Sequence, residues 1–394
     1  MNVQFPLKKP NTHSLRSLQS LSSALNIPLS ELMLAQSFSC DKRYEKIELK
    51  KINGDVREVY NPNFLIRKIQ KRINNRIFKE LILWPDYLFG SVPSSKEEKS
   101  KGIERHYIAC AKKHCHAKTI LKVDIKNFFD NIHRDIVFDI FKKVLKFKGD
   151  ALNYLVDICC YNERVVQGAL TSSYIATLCL FDVEYDVFRR AERKGLTYTR
   201  LVDDITVSSK SVGYNMTQIL DHVKDMLMAK DLPINEDKTQ IHNISTESLK
   251  VHGLRVSFDS PRLPSSEVGR IRASVHNLES LSKKNNSITS TAYRIEYNRC
   301  VGRVNKLKRL EHNKHKFLSK RLKKILPKAA KRDVIKLKKA VNFLESSHKL
   351  GNSQKPYYKR KYDLAVYGLI LLKRTPTYSV IADDLKDRLV KVSY

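Results

Sequence analysis

Leucine recurs through Ser14 to Phe38 at Leu15, Leu18, Leu21, Leu25, Leu29, Leu32 and Leu34, close to the period of a helix. Pro28 divides that run into two short helices. From Ile47 to Tyr60 the residues alternate around Asn53-Gly54, which predicts a β-hairpin. Leu65, Ile66, Ile69, Ile73, Ile77, Leu81 and Ile82 then mark a basic amphipathic helix over Phe64 to Leu83. Tyr87 to Lys101, rich in Gly, Ser, Pro and charge, predicts a loop, and Ile103 to His114 a helix. An apolar strand ends on Asp124, and helices follow over Arg134 to Leu145, Ala151 to Cys160 and Tyr174 to Phe188. Tyr198 to Val207 predicts strand, tight turn and strand; Tyr214 to Ala229 predicts a covering helix. Asp231 to Thr239 reads as a turn, and Val251 to Val256 as a short strand or turn. This order matches a split β-α-β unit within an α+β chain. From Arg262 onward helical patterns dominate. Basic runs at Lys306 to Arg309, Lys314 to Lys324 and Lys331 to Lys339 are interleaved with Leu318, Leu322, Ile325, Ile335 and Leu337. That interleaving predicts a folded bundle with a basic face rather than a loose tail.

At 394 residues the chain has room for two or three structural units. Its formal charge of +33, from 74 Lys and Arg against 41 Asp and Glu, calls for a polyanionic partner such as a nucleic-acid backbone. A membrane is the weaker alternative, because no apolar run approaches the roughly 20 residues of a spanning helix. Met1 to Pro10 lacks a hydrophobic signal core, which predicts a cytoplasmic protein. Seven cysteines, two of them adjacent at Cys159-Cys160, do not read as a secreted disulfide scaffold. His106, Cys110 and His114 share a helix face beside Cys115 and His116, yet their spacing fits no paired zinc knuckle. They read as a partly buried helix face.

The chemistry-bearing residues sit at strand ends. Asp203 and Asp204 lie between Leu201-Val202 and Ile205-Thr206-Val207. An isolated Asp pair of this kind is usually a hydrated turn. The second strand ending on Asp124 changes the reading, since three carboxylates on neighbouring strands suit a pair of divalent cations and in-line phosphoryl displacement. Lys50, Lys51 and Arg57 near the first hairpin's turn fit either a solvated face or a triphosphate clamp. Gly168, beside Thr171, Ser172 and Ser173, fits either a close backbone approach or an ordinary helix cap.

Taken in order, these segments resemble bacterial reverse transcriptases of the retron and anti-phage defence groups over roughly Ile47 to Val256. Val123-Asp124-Ile125-Lys126-Asn127-Phe128-Phe129 is similar to the family's first catalytic motif, and Gln167-Gly168-Ala169-Leu170-Thr171-Ser172 to its nucleotide-pocket motif. Leu201-Val202-Asp203-Asp204, the Leu232 to Thr239 turn and His252-Gly253-Leu254 are similar to the motifs that follow. The resemblance implies a right-hand polymerase with fingers, a ferredoxin-like palm and a helical basic thumb. Residues 1–117 would hold an N-terminal helical extension and fingers, and 118–260 the palm, with part of the fingers near 150–175. Residues 261–394 would form the thumb.

It also implies an RNA-directed DNA polymerase that adds dNTPs to a primer 3′-hydroxyl. Two Mg²⁺ ions, or Mn²⁺ in their place, would be held at Asp124, Ile125, Asp203 and Asp204. Lys51 and Arg57 would hold the triphosphate, Phe129 would exclude a ribose 2′-hydroxyl, and Gln167 and Gly168 would border the nucleotide. Leu201 would lie at the primer end, Gly253 and Leu254 in the primer grip, and Lys238 would donate a proton to pyrophosphate. The implied partners are a dedicated noncoding RNA and the DNA product, with a second reverse transcriptase or effector protein, or a further copy of the chain, as additional ones. Leu201 replaces the family's usual aromatic, Leu170 and Ser173 stand where many relatives have Pro, and Cys110-Ala111-Lys112-Lys113-His114 matches a retron Asn-Ala-x-x-His pattern with Cys for Asn. These departures favour a defence-associated enzyme over a retron one. Two alternatives stay open: a template-independent or protein-primed polymerase, for which 18 Tyr residues offer hydroxyls, and a nucleic-acid-binding scaffold without catalysis.

Overall fold

The computed structural model describes residues 14–50, 54, 56–94, 98 and 100–394. The chain divides into two compact units, Met1–Arg262 and Leu263–Tyr394.

The first unit is built on a five-stranded sheet. Its strands are β3 (Leu88–Phe89), β4 (Thr119–Asp124), β5 (Thr197–Leu201), β6 (Asp204–Ser209) and β7 (Gln240–Asn243), in the order β3-β5-β6-β4-β7. Only the β3–β5 pairing is parallel. Period-2 alternation sorts the side chains. Leu121, Val123, Tyr198, Ile205 and Val207 point into a core closed by helices Glu184–Arg193 and Thr217–Met228. The opposite parity carries Asp124, Thr199, Asp204, Thr206 and Ser208. The predicted split β-α-β unit is therefore present, with β7 added at one edge and β3 at the other. Neither addition was expected, because Gln240–Asn243 is polar and half exposed and Leu88–Phe89 is two residues long.

Two helices, Leu18–Leu25 and Leu29–Gln36, form on either side of Pro28 as the leucine spacing predicts. Strands β1 (Tyr44–Lys50) and β2 (Val56–Pro62) pair antiparallel. Lys51 and Asn53 of their turn lie outside the described residues. Helix Phe64–Ile73 buries Ile66, Ile69 and Ile73, then widens into a π-turn over Asn74–Phe78. The helix expected from Ile103 starts at Tyr107, because the His106 ring accepts the Ala109 amide and caps it there. The apolar stretch from Tyr174 to Phe188 is two helices, Ser172–Leu178 and Glu184–Arg193. The break falls at Asp182, whose carboxylate accepts from Lys230 at 2.6 Å.

The second unit contains helices Ser265–Ser282, Thr291–Arg309, Lys314–Lys323, Lys331–Lys349, Pro356–Lys373 and Ser379–Lys391. In the first three, Val268, Ile271, Val275 and Leu278 are buried, as are Val304, Leu307, Leu318 and Leu322. In the last three, Leu337, Val341, Leu344, Leu369, Leu372, Leu385 and Leu389 share a core. Many of the lysines between these positions, Lys308, Lys316, Lys320, Lys323, Lys336 and Lys339 among them, are exposed and give this unit a basic surface, whereas Arg294 and Arg321 are turned onto Asp333 and Glu279. Among the described residues, no helix is long and apolar enough to cross a membrane.

Candidate active site

Asp124 is the last residue of β4 and pairs directly with Asp204, the first residue of β6. Leu201 pairs with the same Asp204 from β5, so Val202 and Asp203 form a two-residue turn. Val202 holds a φ of 62° there. A β-branched residue resists that left-handed conformation, and such strain, about 1–3 kcal/mol, is typical of functional turns. The backbone thereby brings three carboxylates to one end of the sheet. Burial raises the Asp203 carboxyl above the ordinary carboxylate range, and the charges of Asp204 and Asp124 raise it further.

Asp124 is held from the other side. The turn before β7 lies alongside it, with the Asn235 amide donating to the Asp124 carbonyl at 2.8 Å and the Lys126 amide to the Pro233 carbonyl at 2.9 Å. Asn235 Nδ2 and Lys238 Nζ each donate to Asp124 Oδ2 at 2.9 Å. The Lys238 ammonium, hydrogen-bonded to Asp124 and near Asp203 and Asp204, is held above its ordinary pKa. Asn235 had no expected role, and its orientation onto Asp124 is invisible without the Ile125–Ile234 bridge that docks the turn.

The three carboxylates at this end of the sheet, and the main-chain oxygen of Ile125 next to Asp124 in the chain, offer oxygen donors of the kind that suits a hard divalent cation such as Mg²⁺. Among the described residues no three acidic, His or Cys side chains close into a cage by themselves. Asp124 is instead turned onto Lys238 and Asn235. Mg²⁺ is ordinarily held by one or two carboxylates together with substrate phosphates, and an open arrangement suits that mode.

The Gln167–Ser172 segment, expected to border the nucleotide, is fixed from outside. The Tyr60 amide of β2 donates to the Gln167 carbonyl at 2.7 Å. Gln70 Oε1 accepts the Leu170 amide at 3.0 Å, and Asn74 Nδ2 donates to the Leu170 carbonyl at 2.7 Å. A proline at 170 would lack the amide that Gln70 uses, which gives this departure from the family pattern a local reason. Gly168 has a φ of 106°, and an added Cβ would stand 2.3 Å from the Tyr60 carbonyl oxygen. The close approach foreseen at this glycine is thus to the chain's own β2. Arg57 lies exposed on that strand, opposite Leu49. Lys51 lies outside the described residues. Phe128 is buried, while Phe129 is only partly so and keeps one side toward solvent. Leu201 packs toward the Gly90 loop, where a Cβ would meet Leu201 Cγ at 3.5 Å and Val202 Cγ2 at 3.0 Å.

Behind the carboxylates a polar layer joins helix Tyr107–Lys113 to the sheet. Burial pushes the His114 imidazole down to about 3, so it is neutral. Its Nδ1 meets Ser208 Oγ and its Nε2 Thr199 Oγ1, both at 2.7 Å, one nitrogen donating and the other accepting. Burial likewise raises the Cys110 thiol to about 12, and its Sγ donates to Thr199 Oγ1 at 3.3 Å. These residues form the partly buried face read from their spacing. Replacing His114 with Ala should cost about 2–4 kcal/mol in urea unfolding, from a cavity plus the loss of the imidazole partner to the Ser208 and Thr199 hydroxyls. An unchanged midpoint would contradict this account of the layer.

Strands β8 (Lys250–Val251) and β9 (Leu254–Arg255) make a second two-residue hairpin. His252 and Gly253 at its tip have φ of 47° and 76°. Gly253 is exposed, but the Leu254 side chain is fully buried, so the side chain of Leu254 does not make the contact expected there. The His252 ring lies between Cys110 Sγ at 3.2 Å and Asp204 Oδ2 at 3.7 Å.

A sheet of this topology that ends in paired aspartates beside a strained turn defines a nucleotidyltransferase palm. Residues 49–256 match the model of the reverse transcriptase (RNA-dependent DNA polymerase) family, and the chain belongs to that family. Retron enzymes are among its relatives. The chain is 53% identical over 387 residues to the retron Ec48 reverse transcriptase of Escherichia coli, covering 98% of this chain and 95% of that one. It is 32% identical to the retron Se72 reverse transcriptase of Salmonella heidelberg, over 94% and 95% of the two chains. The retron Ec86 reverse transcriptase of Escherichia coli is 27% identical over 70% of this chain and 82% of its own. The chain is thus an RNA-directed DNA polymerase of the retron group. The departures at Cys110, Leu170, Ser173 and Leu201, which favoured a defence-associated enzyme over a retron one, are compatible with membership of that group.

Proposed function

We propose that this enzyme copies a dedicated noncoding RNA into DNA, in the bacterial cytoplasm, as part of an anti-phage defence system. The observation that carries the catalytic part is the register of Asp124 against Asp204, with Asp203 half-buried beside both. Asp124, Asp203, Asp204 and the Ile125 carbonyl are the residues that would hold two Mg²⁺ ions, with Mn²⁺ as a substitute. Bound cations supply counter-charge for the triphosphate and lower the pKa of the primer hydroxyl.

The chain's own groups do the rest. Arg57, with Lys51, grips the β- and γ-phosphates from the β1–β2 hairpin, and the Tyr60–Gln167 bond holds that hairpin against the nucleotide loop. Gln167 and Gly168 border the incoming sugar. Phe129 occupies the space of a 2′-hydroxyl, the group that distinguishes ribonucleotides. Leu201 supports the primer end, and the backbone of Gly253 and Leu254 grips the primer strand. Lys238 leaves Asp124 to protonate pyrophosphate. The basic surface of the second unit follows the backbone of the RNA–DNA hybrid.

Two experiments test this reading. Full chain purified with its co-bound RNA and supplied with dNTPs and Mg²⁺ should yield DNA complementary to that RNA. Products that survive prior RNase treatment, or that remain attached to a tyrosine, would favour untemplated or protein-primed synthesis instead. Lys238→Met should lower incorporation on the order of 10²-fold, the scale of a general acid. Its stability should change by less than about 1 kcal/mol, because the ammonium is largely exposed. Incorporation within twofold of wild type would remove Lys238 from the mechanism.

A further inference from the structure

Arg200 is fully buried in the interior strand β5, and Glu184 beside it is 2% exposed. Arg200 Nε donates to Glu184 Oε1 at 2.6 Å and Nη2 to Glu184 Oε2 at 2.7 Å. Tyr198 adds its hydroxyl to Glu184 Oε1 at 2.8 Å. The remaining donors go to backbone: Nη2 to the Thr177 carbonyl at 2.7 Å, Nη1 to Ala176 at 3.3 Å and Nη1 to Val202 at 3.0 Å. All five N–H groups of the guanidinium thus have acceptors. Burial works against the Arg200 charge, and the Glu184 carboxylate more than offsets it.

A buried pair of this kind is a poor device for stability, since apolar residues of similar volume often do as well or better. What it does here is join two places. Ala176 and Thr177 lie in the last turn of helix Ser172–Leu178, which begins at the last residue of the nucleotide-pocket segment. Val202 is the strained residue whose carbonyl belongs to the peptide leading into Asp203. Lysine could meet Glu184 but could not span this set of acceptors, because its ammonium is a single point.

We propose that Arg200, seated on Glu184, is a positioning residue for DNA synthesis: it fixes the Val202–Asp203 peptide plane, and hence the aim of the Asp203 carboxylate, and ties that aim to the nucleotide-pocket helix. The inference rests on the metal-holding role proposed above for Asp203. It predicts that losing the fork damages turnover and the metal requirement, while dNTP affinity, set by the clamps and pocket loop, changes little.

The test compares full chain with its co-bound RNA as wild type, Arg200→Lys, the double variant Glu184→Leu/Arg200→Met, and Asp203→Asn. For each, kcat, KM for dNTP, the Mg²⁺ concentration at half-maximal rate and the thermal midpoint are measured. The double variant should fold, keep KM within about twofold, lose kcat on the order of 10²-fold, the cost of a misplaced reacting group, and need several-fold more Mg²⁺. Arg200→Lys should show the same split, and it decides the matter if the double variant does not fold. A folded variant with wild-type kcat and Mg²⁺ requirement would overturn the positioning role. An Asp203→Asn chain that remains active would instead overturn the metal reading beneath it.

Discussion

Replacing Asp124 with Asn is expected to abolish DNA synthesis while leaving the first unit folded. The substituted amide keeps the shape of the carboxyl group and can still accept from Asn235 and Lys238, which now hold Oδ2 at 2.9 Å each. The register of β4 against β6 is carried by backbone pairing from Thr119 to Asp124 and does not depend on the charge. What disappears is one of the carboxylates proposed to hold the metal ions. Metal-centred stabilisation is worth several kcal/mol, and about 4 kcal/mol is a thousandfold in rate. Incorporation should therefore fall on the order of 10³-fold, with little change in the thermal midpoint. Activity within tenfold of wild type would place the chemistry elsewhere.

Asp203→Asn should also silence the enzyme, but its effect on stability carries a sign. The Asp203 carboxyl titrates higher in the folded chain than in the unfolded one, owing to burial and then to Asp204 and Asp124. A group shifted this way favours the fold most below its unfolded pKa and loses that contribution as pH rises through the folded value. At neutral pH the ionised side chain is therefore a liability in metal-free buffer, and its removal should raise the thermal midpoint. A lower midpoint for the variant would mean that the three carboxylates do not repel one another.

Gly168→Ala is expected to be among the most damaging single-methyl substitutions in the chain. The new Cβ would lie 2.3 Å from the Tyr60 carbonyl oxygen, 2.9 Å from Val59 Cγ1 and 3.1 Å from the Tyr60 carbonyl carbon, at a φ of 106°. Two of those three atoms are backbone, so the conflict is relieved only by parting β2 from the pocket segment. That movement breaks the 2.7 Å bond from the Tyr60 amide to the Gln167 carbonyl and draws Arg57 away with its strand. Backbone strain alone costs about 1–3 kcal/mol, and the contact adds to it. The loss should appear as a lower thermal midpoint together with a KM for dNTP raised at least tenfold, since about 1.4 kcal/mol is a factor of ten. Wild-type values for both would show that Gly168 does not seat the hairpin against the loop.

Much of this site is legible along the chain because its parts are local. Asp124 and the Asp203-Asp204 pair stand out as charges closing apolar alternation, and β-pairing then turns sequence pattern into proximity. The π-turn at Asn74 is not legible, since the helical pattern from Phe64 to Leu83 runs through it; only the Asn74 bond to Leu170, 96 positions away, shows its use. Gly168 could be identified as a place of close approach, but its neighbour, Tyr60, is fixed by tertiary packing. Arg200 left one signal: with Tyr198 it has inward parity on an interior strand, where a charge demands a partner. Nothing local names Glu184, 16 residues away across a helix and a turn. Leu254 illustrates the reverse. Its motif suggested contact with a primer, yet the two-residue hairpin turns its side chain into the core.

The most direct test of the account is a count of bound metal. Full chain with its RNA, a DNA primer and a non-reactive dNTP analogue is titrated with Mn²⁺ and followed by electron paramagnetic resonance, beside the Asp203→Asn/Asp204→Asn double variant. The account predicts about two ions per wild-type chain that depend on the analogue, as a two-metal site completed by substrate phosphates requires, and their loss in the double variant. Equal Mn²⁺ binding by the two proteins would contradict it.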